Sequence, residues 1–262
     1  MKASHNHLFT RSFTGTALLV VACSCLCLVA AEAPLFPGQR SGENLKADGF
    51  KSLFDGKTFA GWDFKPWHKG HFVVQENGVI GYDGKSEGKR GQDNNLWTRK
   101  SYADFTFYVE WRLPRKPEMK GHPIVLYNGD FLMQEDNPKK RVTRPHLDAG
   151  DSGFYFRGHK DCQANIWSQV LGSGEINGYR TDKAMPPETR RGCIPIRNAD
   201  RPFGEWNAFE ITIKGERITV VLNGEKVIDA VRLPGLPARG PIAVQHHGDP
   251  VQFRNLWVKA LD

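Results

Sequence analysis

Near its end the chain carries "QHHGDP" (245–250), two adjacent histidines followed by a Gly-Asp-Pro turn. Imidazoles serve acid–base work near neutral pH and ligate metals. The preceding "GPIAVQHH" alternates as a short strand, in which neighbouring side chains point to opposite faces. Ile242, Val244 and His246 fall on the apolar side, and Ala243, Gln245 and His247 on the polar side. His247 is therefore the candidate for chemistry, and His246 is expected to cap the core or the turn. A purely structural role is the competing reading for a lone strand histidine.

The same parity sorts three further segments. In "FTFYVEWRL", Phe105, Phe107, Val109 and Trp111 share the inner face, leaving Thr106, Tyr108, Glu110 and Arg112 on the other. In "SGFYFRG", Phe154 and Phe156 point inward, while Tyr155 and Arg157 point away. In "CQANIWS", Cys162, Ala164 and Ile166 are inner, and Gln163, Asn165 and Trp167 are outer. The outward set combines aromatic planes with carboxylate, guanidinium and amide groups, the composition of a sugar cleft. An ordinary solvated sheet face with a Glu110–Arg157 ion pair is the alternative. Glu175, in the Gly-rich "GSGEINGY", is placed at the cleft border. Asp151 and Ser152 in "GDSG", and Asp249 before Pro250, read as turn residues.

These side chains must be positioned by strands. "HFVVQENGVIGYDG" (71–84) has an Asn-Gly pair between apolar runs, a hairpin signal. "FEITIKGERITVVLNGEKVIDA" (209–230) carries turns at Lys214-Gly215 and Asn223-Gly224. The chain has 27 Gly and 16 Pro, suiting many turns, and no long stretch of helical period. The fold class that follows is all-β: an antiparallel β-sandwich of jelly-roll type. No internal repeat of propeller length stands out.

The first 31 residues read as an export signal: Lys2 and Arg11, then the apolar "TALLVVACSCLCLVAA", then small residues before Glu32. The expected location is periplasmic or extracellular. "VVAC" ending at Cys23 resembles a lipobox, so a lipid anchor is the rival and the only membrane contact expected. Residues 32–48 ("EAPLFPGQRSGENLKAD") read as a polar linker, and 49–262 as one domain. The chain carries 36 Lys+Arg against 29 Asp+Glu, net +7, which becomes +5 when Lys2 and Arg11 leave with the signal. That excess is spread out, with "PKKR" (138–141) its densest cluster, so no nucleic-acid partner is expected. Oligomeric state is not legible. Of five cysteines, only Cys162 and Cys193 lie beyond the signal. They are a disulfide candidate after export, worth roughly 3–4 kcal/mol in the chain-entropy picture, with two free buried thiols as the alternative.

Five stretches in order carry a resemblance: "FKSLFDGKTFAGW", "LWTRKSYADFTFYVEWRL", "GDSGFYFRG", "RPFGEWNAFEITIKGERITVVLNGEKV" and "GPIAVQHHGDPVQFRNLWVKAL". Over about residues 49–262 the chain resembles the 3-keto-disaccharide hydrolase family. The resemblance implies a concanavalin-A-like jelly roll, similar to laminarinase-type glucanases, and a carbohydrate substrate. One stretch departs. Many members have a "YEVQI"-like strand where this chain has "CQANIW", so Gln163 stands in place of a Glu and Asn165 in place of a Gln.

The implied chemistry differs from ordinary glycoside hydrolysis. A ketone at C3 acidifies the C2 proton; a base removes it, the enolate expels the C1 substituent, and water adds back. One base, one acid and an electrophile for the enolate oxygen suffice, without two carboxylates flanking C1. The E-x-D-x-E strand of laminarinase-type enzymes has no counterpart here. For elimination, Glu110 and His247 are the expected base and acid, and Arg157 the enolate stabiliser. Gln163 and Asn165 are hydrogen-bond donors, and Trp167 and Tyr155 stacking platforms. No spacing announces a metal site, although a divalent cation held by Glu110 and His247 would assist an enolate. A non-catalytic carbohydrate-binding module is the second reading, and a structural sandwich of the envelope the third.

Overall fold

A computed structural model describes residues 1, 35–85, 88, 89 and 92–261. The expected signal, with its lipobox rival at Cys23, lies outside the described residues.

Among the described residues, three short α-helices interrupt a chain of strands: α1 (Gly42–Ala47), α2 (Asn177–Thr181) and α3 (Pro187–Gly192). The strands are β1 (Lys51–Ser52), β2 (Phe72–Val74), β3 (Ile80–Tyr82), β4 (Leu96–Trp97), β5 (Phe105–Arg112), β6 (Glu118–Pro123) and β7 (Thr143–Asp148). They continue as β8 (Asp151–Tyr155), β9 (Gln163–Trp167), β10 (Asn207–Lys214), β11 (Arg217–Leu222), β12 (Glu225–Arg232), β13 (Ala243–Val244) and β14 (Val251–Ala260). An eight-stranded sheet runs β12-β11-β10-β5-β14-β3-β2, with β1 on β14; a four-stranded sheet runs β4-β13-β8-β9; and β6 pairs with β7. Every pairing among these strands is antiparallel. The architecture is an antiparallel β-sandwich of jelly-roll type.

Turn chemistry sets this order. Asn77, at φ 58°, and Gly78 reverse the chain between β2 and β3. Asn223 and Gly224 (φ 52° and 82°) do so between β11 and β12, and Gly215 between β10 and β11. All lie in the left-handed region that Asn and Gly tolerate best. The inner faces then meet as alternation dictates. Phe107 lies 5.2 Å from Phe154, and Phe154 lies 5.3 Å from Phe253. Phe105, Val109, Phe156, Cys162, Ala164 and Ile166 join the same buried core.

Both faces of β5 are covered, because residues 35–48 are part of the fold rather than a linker. Ser41 Oγ caps α1 by accepting the Asn44 N–H at 3.1 Å. The Arg40 N–H donates to Tyr108 Oη at 2.9 Å. Leu45 and Phe50 pack with Tyr108 and Ala208, flanked by Phe36 and Trp257. This polar-looking segment docks through only two apolar side chains, Phe36 and Leu45, which its composition hid. Leu45→Ala is expected to cost about 2–4 kcal/mol by emptying that contact, read from urea denaturation.

This second layer relocates Glu110. Its carboxylate is fully enclosed on the outer face of the large sheet. It accepts from Arg254 Nε (2.7 Å), Asn255 Nδ2 (2.8 Å) and Tyr108 Oη (3.1 Å). The register of β14 against β5 shifts between Arg254 and Trp257, with Asn255 at φ 51°. Such a bulge re-aims a side chain, and here the Asn255 amide meets Glu110.

Arg157 also departs from expectation. β8 ends at Tyr155, and Arg157 takes φ 53°, so strand alternation no longer applies. Its guanidinium is buried and donates to the carbonyls of Ala103 (2.8 Å), Gly215 (2.7 Å) and Pro237 (3.0 Å) and to Asp104 Oδ1 (2.8 Å). It clasps three loops together.

Cys162 and Cys193 are free thiols, both fully buried, so the disulfide expectation is corrected in favour of its alternative. Burial pushes the Cys162 thiol up to about 12 and raises Cys193 as well. Neither is nucleophilic at ordinary pH, since the thiolate is the reactive form. Both are expected to resist Ellman's reagent in the native protein at pH 8 and to react in guanidinium. Prompt native labelling would contradict this burial.

Candidate active site

The outward face of the four-stranded sheet collects the polar side chains. Register places Asp151 opposite Trp167, Gly153 opposite Asn165, and Tyr155 opposite Gln163, with Ala243 and then Trp97 beside Tyr155. Opposed residues share a face, so Asp151, Tyr155, Gln163, Asn165, Trp167 and Trp97 line one surface. Gly153 is required at its centre. A Cβ there would stand 2.6 Å from Gln163 Nε2 and 2.7 Å from the Ala164 carbonyl. The space lets Gln163 reach across to donate to Gln245 Oε1, whose own Nε2 donates to Tyr155 Oη at 3.2 Å. The Trp97 and Tyr155 rings lie 6.2 Å apart along this chain of amides.

At the other end of the face is a cavity of about 280 Å³ lined by Asp151, Asn165, Trp167, Phe131, Arg141, Asn177 and Thr181. The loop between β6 and β7 supplies Phe131 and Arg141, with the Arg141 guanidinium 3.8 Å from the Phe131 ring centre. Burial, and then the negative charges of Asp249, Glu175 and Asp148, push the Asp151 carboxyl up to about 8. Desolvation and like-charge neighbours both disfavour its ionised form. A carboxyl titrating near working pH takes and returns protons with comparable ease.

The His-Gly-Asp turn meets this site through Asp249. Its Oδ2 accepts the Asp151 N–H at 3.0 Å and lies 3.7 Å from His247 Nδ1, while its Oδ1 pairs with Arg115 at 2.6 Å. Arg115 also reaches Asp148 at 3.1 Å. Asp249 is thus a connecting residue as well as a turn former. His247 is half exposed, and its carbonyl is held by Tyr82 Oη at 2.9 Å. His246 lies 5.7 Å from the Tyr82 ring, and burial lowers its pKa.

The structure brings together Tyr155, Gln163, Asn165 and Trp167 on one face, with His247 linked to it through Asp249. It does not bring Glu110, which faces the opposite side of the sandwich, or Arg157, which closes loops. Glu110 and His247 therefore cannot share one cation. Among the described residues, no group of three or more His, Cys, Asp or Glu side chains is arranged to hold a metal ion. Glu175 lies beneath the face rather than on its border: fully buried, it pairs with Arg180 and accepts from Gln169 Nε2 at 2.9 Å. Arg180 in turn donates to the Gly129 carbonyl at 2.8 Å and stacks on Phe131 at 4.5 Å. The pair props the cavity wall from below.

Sequence reasoning missed Asp151 and Arg141. The first was within reach, because alternation counted backwards from Tyr155 through Gly153 arrives at Asp151. Counting forwards to Arg157 instead ran past the end of the strand. Arg141 sits on a loop, where no periodicity applies.

The two antiparallel sheets form a jelly-roll sandwich whose smaller sheet presents a polar, aromatic-lined outward face. The chain belongs to the family of the 3-keto-alpha-glucoside-1,2-lyase-like domain, whose description matches residues 49–259. It is 26% identical over 251 residues to a 3-keto-disaccharide hydrolase of Bacteroides thetaiotaomicron, covering 82% of this chain and 80% of that protein. Two crystal structures of Parabacteroides distasonis proteins, provisionally named glycosyl hydrolases, share the fold. One is 20% identical with a TM-score of 0.51, over 86% of this chain and 100% of that one. The other is 21% identical with a TM-score of 0.54, over 87% and 92%.

Proposed function

We propose that this protein cleaves the glycosidic bond of 3-keto sugars, with the outward face of the four-stranded sheet as its active site. Membership of the family supports a carbohydrate substrate, as does the name of the Bacteroides relative. The observation that carries the reading is the Asp151 carboxyl, pushed up to about 8, in a cavity with Trp167, Asn165 and Arg141.

Ionised Asp151 takes the C2 proton of the bound 3-keto ring, and the C2–H electrons form the enolate. The Arg141 guanidinium and the Asn165 amide offer charge and hydrogen bonds to the enolate oxygen, the preorganised electrostatics that such a step needs. Collapse of the enolate breaks the C1–O bond, and the departing oxygen takes a proton from His247, paired with Asp249. Water then adds its hydroxyl to C1 while His247 takes back a proton from that water, and Asp151 returns a proton to C2. The products are the free 3-keto sugar and the free alcohol, so the net reaction is hydrolysis. Trp97, Tyr155 and Trp167 offer stacking surfaces for sugar C–H faces, and the Gln163–Gln245 chain offers hydroxyl partners.

Incubation with a 3-keto-glycoside should release free 3-keto sugar and alcohol, while the matching plain glycoside stays intact. Release from the plain glycoside at a comparable rate would end this reading. A binding module without catalysis is favoured by one observation, the purely amide chain of Gln163 and Gln245 between aromatics. Calorimetric binding of 3-keto-glycosides without any product would select it.

The protein is further proposed to act outside the cytoplasm after removal of residues 1–31, as the leading apolar run suggests. N-terminal sequencing of protein secreted by its native cells tests this, with a chain retaining residue 2 as the contrary result.

A further inference from the structure

A second cavity, of about 470 Å³, adjoins the Asp151 cavity and shares Phe131, Arg141 and Thr181 with it as walls. The densest basic cluster of the chain, "PKKR" (138–141), contributes Lys139 and Arg141 to its lining. Lys183, between α2 and α3, and Arg190, on α3, complete the basic set, and Asp130 is the acidic residue beside them. We infer that this cavity holds a carboxylate or sulfate carried by the substrate, which makes anionic glycosides the preferred class. The inference rests on the reading of Asp151 given above.

Asp130 does not cancel the four bases that line the cavity with it. Its Oδ1 accepts from both Lys183 Nζ and Arg190 Nη2, and its Oδ2 accepts from Asn128 Nδ2 at 3.2 Å. Lys183 and Arg190 hold its carboxyl down at about 2, so it is an anion already in use. Arg190 is anchored further through Nε, which donates to the Arg180 carbonyl at 2.8 Å. Thr181 Oγ1, the remaining polar side chain of the lining, donates to the Asn177 carbonyl at 2.8 Å. Arg141 stacks on Phe131, and neither it nor Lys139 forms an ion pair among the described residues. The Asn137 side chain accepts the Lys139 N–H at 3.1 Å, and Arg141 bridges to Met133 across the ribbon. A hydrogen-bonded turn thus sets both bases at the cavity.

Ammonium and guanidinium groups donate hydrogen bonds and accept none. An oxyanion, which only accepts, matches them, and charge-assisted bonds are roughly twice as strong as those of a neutral hydroxyl. The Lys183 side chain is 72% exposed, so the attraction is open to screening by salt. The shared walls place the anion on the ring that Asp151 deprotonates or on the ring linked to it, and the test separates the two.

The test uses a 3-keto-glucosyl-glucose in neutral form and with a carboxylate or a sulfate at C6 of either ring. At low salt, kcat/KM for at least one anionic form should exceed that of the neutral form by about tenfold, the lower end of what a like-charged cleft gives. That ratio should shrink towards one between about 0.01 M and about 1 M salt, as the screening length falls from about 30 Å to about 3 Å. Replacing Lys139→Ala and Lys183→Gln together should also bring it towards one. A neutral form cleaved as well as every anionic form overturns the inference, and so does an anionic preference that survives the double substitution or high salt. If no form is cleaved, the Asp151 reading fails, and the cavity is judged by calorimetry with glucose 6-sulfate, glucuronate and glucose. Tighter binding of either anion than of glucose, lost in the double variant, upholds it, and equal or absent binding overturns it.

Discussion

Asp151→Asn is expected to lower kcat/KM for a 3-keto-glycoside by about 10²–10⁴-fold, the usual cost of losing a general base. The amide keeps the size and the outward position on β8 but takes no proton. The same substitution should stabilise the fold at alkaline pH. The carboxyl of Asp151 is raised from its ordinary value to about 8 by burial and by Asp249, Glu175 and Asp148. In that interval the folded state holds a proton that the unfolded state has released, so stability declines as pH climbs from about 4 to about 8 and then levels off. An amide at this position does not titrate and carries no such slope. The variant should therefore gain on wild type as pH rises, by up to a few kcal/mol above pH 8. Thermal melts at pH 5 and pH 9 read the difference. A variant that loses activity because it unfolds would show the opposite change at pH 9. In the wild type, the limb of the log kcat/KM profile that Asp151 sets should rise with pH up to about 8.

Glu110→Ala is expected to destabilise the protein by about 2–4 kcal/mol, yet to leave kcat within about threefold at temperatures where the variant is folded. The carboxylate accepts from Arg254, Asn255 and Tyr108. Its removal leaves Asn255 and Tyr108 without this acceptor and Arg254 without its counter-charge. Arg254 is partly solvated, with 30% of its side-chain surface exposed, which limits the loss. Urea denaturation measures the cost and initial rates measure the turnover. A hundredfold fall in kcat with intact stability would return Glu110 to the chemistry and contradict its place under the 35–48 layer.

Alternation in the sequence located β2, β3, β5 and β8 to β14, but not β1, β4, β6 or β7. Phe105, Phe107, Val109 and Trp111 are core, as are Phe154, Phe156, Cys162, Ala164 and Ile166. The shared outward face of Tyr155, Gln163, Asn165 and Trp167 was equally legible, because period two survives in any strand. Parity has a limit, however: it separates inward from outward but does not say which sheet a strand joins. β5 lies in the large sheet and β8 and β9 in the small one, so the outward faces of Glu110 and Trp167 are on opposite sides of the molecule. Pairing β5 with β10 and β14 is a long-range choice that no local pattern encodes. Arg157 failed for a local reason, a left-handed residue just past a strand end. The burial that raises the Asp151 carboxyl comes from residues distant in sequence, so its chemistry was invisible even where its face could be counted.

The most direct measurement follows deuterium at C2 when a 3-keto-glycoside is turned over in D₂O, by NMR, for the wild type and Asp151→Asn. Proton abstraction by Asp151 predicts deuterium at C2 during wild-type turnover and wash-in slowed at least a hundredfold in the variant, about the least a lost general base costs. Wash-in by the variant at the wild-type rate would remove Asp151 from the reaction, and wild-type turnover that leaves C2 fully protonated would contradict elimination itself.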